Sequence, residues 1–254
     1  MSLAELVRRH DPDRFLTALF APPEQRDALL TLYAFNHELA RARETVSEPP
    51  LALIRLQWWR EVVDGARRRH EVAGPLREAI DSGRLDRRDL LSLIDAREAE
   101  AAPAFETMAE WRDYVLATAG GVAVAAGRLL DAPDPEALRP SGAAYGIAGL
   151  LRSIPAHSRQ GRCLLPADLL AQYGLVPEDV IAKPSSAALH HAMQQIAHEG
   201  LILLRRPRLP RRAIAAALPA VLAKRDLRRA PRFPQQRGLA DRLAVVVAAL
   251  SGRA

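Results

Sequence analysis

Apolar residues return every three or four positions along almost the whole chain, and no convincing run alternates as a strand does. Leu29, Leu32, Tyr33, Asn36, Leu39 and Ala40 follow the spacing of one helix face, and Leu51, Ile54, Trp58 and Val62 repeat it. Pro22 and Pro23 open the first of these helices, and Pro49 and Pro50 separate the two. Proline suits a first helical turn, where its missing N–H has no partner to lose. The same pattern predicts helices over 86–100, 106–130, 135–154, 186–205, 211–228 and 239–250. Breaks are expected at Gly74–Pro75, at 131–135, and at Pro155, Pro166, Pro177 and Pro184. No repeat of fixed period and no long linker divides the chain, so the expectation is one all-α domain over 1–254.

Hydrophobic residues make up 49% of the 254 and charged residues 26%, a globular balance that excludes a disordered chain, a collagen-like fibre and a disulfide scaffold. Cys163 is the only cysteine, which rules out an intrachain disulfide and a cysteine-based zinc site and fits a reducing compartment. No apolar run reaches the roughly 18 residues of a membrane span. The N-terminal stretch has no apolar core and carries Glu5, Asp11 and Asp13, unlike a secretory signal or an acid-poor presequence. The expected setting is therefore a bacterial cytoplasm.

The net charge is +6, carried almost entirely by arginine, with lysine only at 183 and 224. That sum favours acidic partners such as phosphates or anionic lipid. The segment 205–232 concentrates it in Arg205, Arg206, Arg208, Arg211, Arg212, Lys224, Arg225, Arg228 and Arg229. Two readings stay open for that segment: a peripheral contact with the inner membrane, or a solvated helical hairpin. Nucleic acid is not expected, since no recognised binding motif or aromatic stacking platform accompanies the charge.

Two segments carry chemical information: Leu32–Val46 (LYAFNHELARARETV) with its continuation through Trp58 and Trp59, and Ala143–Gly174. Together with the Gly/Ala-rich stretch Asp113–Leu130 they resemble the squalene/phytoene synthase family, in order and at matching distances, over about residues 11–230. The resemblance implies an isoprenoid-synthase-type helical bundle with a central cavity. It also implies an activity, the head-to-head joining of two prenyl diphosphates. Such enzymes use aspartate-rich motifs to hold Mg²⁺, which neutralises the diphosphate as it leaves.

The sequence departs from the family at those aspartates. Aligned on the family's first motif, the acidic positions fall on Ala40, Arg41 and Glu44, and on the second they fall on Ser153 and His157. Gly161, Arg162, Leu165 and Pro166 match the family's following tail and anchor the register. Only Glu44 keeps a carboxylate, and neutral histidine is a poor ligand for Mg²⁺. The segments Phe35–Ala40, Gln57–Trp59 and Leu151–His157 are similar to a branch of the family that includes a mitochondrial complex I assembly factor. That resemblance implies a non-catalytic helper at the membrane, with respiratory complex subunits as partners, no cofactor and no metal site. The alternative is an active prenyltransferase that binds Mg²⁺ through atypical ligands.

A remnant cavity that binds a prenyl diphosphate or lipid would be lined by Tyr33, Asn36, His37, Arg41, Glu44, Arg152, Ser153, His157 and Arg162. Guanidinium forks bind phosphate without metal, so Arg41 facing Arg152 across the cavity would suffice for binding without ionisation. The plainer alternatives are a polar helix–helix network at Asn36, His37 and Glu38, solvated arginines, and a helix-capping His157 in a loop after Pro155. His190, His191 and His198 lack a carboxylate or cysteine at ligand spacing, and no metal is expected there.

Overall fold

The structure is a computed structural model that describes residues 2–46, 48–102, 104–205, 207–234 and 236–252. Proline stands at one of the first two positions of six of its α-helices. The chain opens with α1 (Leu3–His10), whose Ser2 cap and Glu5 form a reciprocal capping box, and α2 (Pro12–Ala18), capped by Asp11. Then come α3 (Pro23–Glu44) and α4 (Pro49–Val63), each with proline in its first turn. Next are α5 (Ala73–Asp81), α6 (Arg87–Arg97), α7 (Met108–Val115) and α8 (Gly121–Leu129). The second half holds α9 (Arg139–Arg159), α10 (Ala167–Gln172), α11 (Pro177–Ala182) and α12 (Ala187–Leu203). It ends with α13 (Ile214–Ala217), α14 (Pro219–Arg229) and α15 (Leu239–Ser251). Among the described residues there is no strand, only an isolated bridge between Phe105 and Pro166.

Two apolar clusters form the interior. The first gathers Tyr33, Phe35 and Leu39 of α3 with Trp59, Leu76, Leu90 and Val122. The second gathers Trp111, Leu151, Leu170, Leu189 and Ile196 around α9. Trp111 is fully buried and its Nε1 donates to the Leu164 carbonyl at 2.8 Å, so its one polar atom is satisfied. Trp59 is buried while its neighbour Trp58 is half-buried, their rings meeting edge to face at 4.8 Å. A third, smaller cluster packs Val245, Ala248 and Ala249 of α15 onto Ile214, Leu218 and Leu222.

The two large clusters meet along the Gly/Ala-rich stretch. α7 runs into α8 through one π-helical turn, Leu116–Gly120, so the expected helix over 106–130 is continuous but not regular. α9 presses against this turn. A Cβ on Gly142 would lie 2.5 Å from Ala119's neighbour Ala123 Cβ and 2.8 Å from the Ala119 carbonyl, which is why small residues recur on both helices.

Pro155, expected as a break, lies inside α9, which continues to Arg159. His157 is therefore a helical residue and not a loop residue. Proline removes one backbone hydrogen bond, but Leu151, Ile154 and Ser158 are buried, and packing outweighs the local cost. Gly74 and Pro75 likewise sit in the first turn of α5 and not in a loop.

Much of the basic segment is tied down. Arg225 and Arg229 bond Asp241 at 2.5 and 2.9 Å, and Arg205 caps the Ile202 carbonyl at the end of α12. Arg206 lies outside the described residues. Asp241 is held down to about 2 by hydrogen bonds from Arg229, against its own burial, with Arg225 adding to the effect.

Replacing Gly142 by alanine is expected to cost about 1–3 kcal/mol, because the methyl group meets backbone and not a flexible side chain. Differential scanning calorimetry should show Tm lowered by roughly 2–12 °C. Gly149→Ala, whose Cβ would meet nothing within 4 Å, should leave Tm unchanged or higher.

Candidate functional site

A cavity of about 780 Å³ opens between α2, α3, the α7–α8 helix, α9 and the segment leading into α15. Its apolar walls come from Phe15, Leu16, Val115, Ala119 and Leu150. Three groups of charged side chains complete it.

The first group is a clamp. Arg237 reaches Asp13 through Nε at 3.0 Å and Nη2 at 2.6 Å, and reaches Asp226 through Nη1 at 2.5 Å and Nη2 at 2.7 Å. Arg152 adds contacts at 3.2 Å to both acids. Burial alone would raise the Asp13 pKa, but Arg237 and Arg152 outweigh it and hold the carboxyl below its ordinary range. The same two carboxylates push the Arg237 pKa up despite desolvation.

The second group surrounds buried Glu100. Arg97 donates to it at 2.6 Å, the Tyr114 hydroxyl at 2.7 Å and Arg162 at 3.1 Å. Arg97 also donates to Asn36 Oδ1 at 3.2 Å, which fixes the amide of that cavity residue. Burial opposes ionisation of Glu100, yet these donors hold it charged and its pKa low. In the third group, buried Arg14 pairs with Asp11 at 3.2 Å and lies over the rings of Tyr145 and Tyr33, 4.9 and 5.4 Å from their centroids. Burial pushes the Tyr33 phenol up to about 12.

Six of the nine expected residues line this cavity: Asn36, His37, Glu44, Arg152, Ser153 and His157. Three do not. Tyr33 is buried beneath Arg14, and Arg162 sits behind Glu100 with its Nη1 buried and unpartnered. Arg41 turns away to Glu38 at 3.1 Å, whose other oxygen lies 3.7 Å from His70 Nε2. Arg41 therefore does not face Arg152: an acid already buried beside it on α3 takes its charge. Arg152 is in the cavity, but Asp13 and Asp226 take its guanidinium. Asp11, Asp13, Arg14, Arg97, Glu100, Tyr114, Tyr145 and Arg237 were not expected. Of these only the Asp11-Pro12-Asp13 lead-in carried any signal, an acid pair beside the first helices.

Three cavity groups, His157, His37 and Glu44, are pushed towards neutrality. Burial and the Arg162 charge lower His157 to about 4. Burial and neighbouring His10, stacked on it at 4.5 Å, lower His37. Desolvation and the Glu100 carboxylate raise Glu44.

The sequence model of the squalene/phytoene synthase family matches residues 7–247. The chain belongs to the squalene/phytoene synthase family. It is 31% identical over 227 residues to the mouse (Mus musculus) protein named NADH dehydrogenase (ubiquinone) complex I, assembly factor 6, covering 86% of this chain and 68% of that one. It is 24% identical over 191 residues to the presqualene diphosphate synthase of Sinorhizobium fredii, covering 71% and 67%. The fold matches the crystal structure of a dehydrosqualene synthase with a TM-score of 0.78 at 14% identity, over 98% of this chain and 94% of that one. The bundle is thus the isoprenoid-synthase helical fold.

That family's chemistry implies Mg²⁺, and the donors present do not suit it. Of the carboxylates lining the cavity, Asp11, Asp13 and Glu100 already accept from arginine at 2.6–3.2 Å. A divalent ion would have to evict those guanidinium groups, and only Glu44 stands apart from them. Among the described residues no group of three or more His, Cys, Asp or Glu could hold a metal ion, and this includes His190, His191 and His198.

Removing Arg237 leaves two buried carboxylates without their main partner, which costs about 3–5 kcal/mol. Arg237→Met should therefore lower Tm by roughly 6–20 °C. Breaking the exposed Arg112–Glu199 pair by Arg112→Met should cost less than about 1 kcal/mol.

His157 stays neutral in the folded chain down to about 4, whereas the unfolded chain binds its proton at 6.5. Its contribution to stability is complete above 6.5 and is lost as pH falls towards 4. Thermal melts across that range should show Tm falling on acidification, with a shallower slope in His157→Gln.

Proposed function

We propose that this protein is a synthase-like helper in the assembly of respiratory complex I, and that it works without joining prenyl diphosphates. One observation carries the reading: of the four carboxylates lining the cavity, Asp11, Asp13 and Glu100 are already paired with arginine, and only Glu44 stands at a position aligned with the family's aspartates. Ionising a diphosphate requires its charge to be neutralised as it develops, and arginines already paired to carboxylates have little left to give. The relatives named as complex I assembly factors give the direction of the reading, and their similarity runs over most of the chain.

The partners that follow are respiratory complex subunits, with a lipid as the occupant of the cavity. Six arginines and four carboxylates line that cavity, and the two arginines in excess, Arg8 and Arg242, stand exposed at its rim. The interior is close to neutral, which suits a lipid tail better than a diphosphate. The setting is the cytoplasmic side of a bacterial inner membrane.

The second reading, an active head-to-head prenyltransferase with atypical metal ligands, is favoured by the open cavity and by the presqualene diphosphate synthase relative. Deleting the gene in its host separates the two. The expected result is a several-fold loss of NADH:quinone oxidoreductase activity in membranes, with squalene-type and phytoene-type products unchanged. Loss of such a product with complex I intact would overturn the assembly reading in favour of the enzyme.

A further inference from the structure

α15 is amphipathic in an unusual direction. Its inner face is fixed: Val245, Ala248 and Ala249 pack on the third apolar cluster, and Asp241 is bonded by Arg225 and Arg229. Its outer face carries Leu239, Leu243, Val247 and Leu250, which are 72%, 51%, 62% and 66% exposed. At 100° per residue these four fall within one quarter of the helix circumference, and Val246 lies beside them. A surface helix ordinarily turns charge outward, and this one turns leucine and valine outward.

Arginine borders the stripe at both ends. The only acid on α15 is Asp241, which is buried and paired. Arg242 is exposed next to Leu243, and Arg211 reaches the Leu250 carbonyl at 3.4 Å. Arg242 also lines the cavity rim, together with Arg8 and with Leu19, which is 44% exposed. Arg242 thus belongs both to the helix that carries the stripe and to the cavity lining.

We propose that the outer face of α15 docks on an anionic lipid bilayer and sets the mouth of the cavity at the membrane surface. Leucines and valines enter the boundary between headgroups and acyl chains, while flanking arginines meet lipid phosphates. None of the described helices is long and apolar enough to cross a membrane, so the contact is interfacial. The site differs from the one the sequence suggested, the basic segment 205–232 as a whole: Arg211 of that segment borders the stripe, while Arg225 and Arg229 spend their charge on anchoring α15. The inference deepens the proposed function, since a helper of a membrane complex must reach the bilayer. It is read on vesicles without the respiratory complex, so its failure would leave the gene-deletion result standing.

The test is flotation of the full-length protein with vesicles of phosphatidylcholine alone or enriched in phosphatidylglycerol, at low and high salt. The wild type should float with the anionic vesicles, more at low salt, and little with the neutral ones. The double variant Leu243→Glu/Val247→Glu should bind roughly tenfold more weakly. Its Tm should stay within about 2 °C of the wild type, since both side chains are exposed. The variant Arg208→Glu/Arg228→Glu should keep most of the binding. No flotation of the wild type, or loss from the arginine variant with none from the stripe variant, would overturn the proposal. So would a wild-type dimer in light scattering that the stripe variant breaks, which would assign the stripe to a second copy of the chain.

Discussion

Arg237 lies between Asp13 and Asp226 and ties the N-terminal α2 to the C-terminal part of the chain. Asp13 belongs to α2, Asp226 to α14, and Arg237 to the segment that leads into α15. Asp226 is completely buried and Asp13 nearly so, and Arg237 bonds both carboxylates. The clamp closes one wall of the cavity, orients Arg152, and sets the start of α15. The neighbouring Asp241 pairs extend it into the C-terminal helix. A buried ion pair of this kind is a poor source of net stability compared with apolar packing, but breaking it leaves an uncompensated charge. Its effect is to fix one arrangement of the α2, α14 and α15 elements.

The same pairing decides what the cavity is suited to hold. In a low-dielectric interior an unpaired carboxylate would attract a metal ion or take a proton. Here arginine occupies that role for Asp11, Asp13 and Glu100, while His37 and His157 are pushed towards their neutral forms. The result is a cavity of about 780 Å³ in which most of the charge is already paired. The surplus lies at the rim, in Arg8 and Arg242, where it faces whatever approaches the mouth.

Much of this was legible in the sequence, and the limits are physical. Helical periodicity and proline placement gave the longer helices, because both are local properties, and missed the short α1, α2, α5, α10 and α11. They failed at Pro155, where burial of Leu151, Ile154 and Ser158 carries α9 through a residue that ordinarily ends a helix. The family resemblance located the cavity well enough for Asn36, His37, Glu44, Arg152, Ser153 and His157 to line it. It misplaced Arg41, which a buried acid three residues away on the same helix turns aside. The clamp itself was not readable: Asp13 and Arg237 are 224 positions apart, and nothing in a single sequence couples them. Nor did the basic segment announce that some of its arginines serve α15, since charge counts do not show which charges are already paired.

The central claim is that the cavity acids are engaged by arginine and unavailable to Mg²⁺. Isothermal titration of the full-length protein with a non-hydrolysable farnesyl diphosphate analogue, with and without Mg²⁺, tests it directly. The account predicts that Mg²⁺ makes no difference to whatever binding is seen. Tight binding that appears only with Mg²⁺, and disappears in Asp13→Asn, would contradict it.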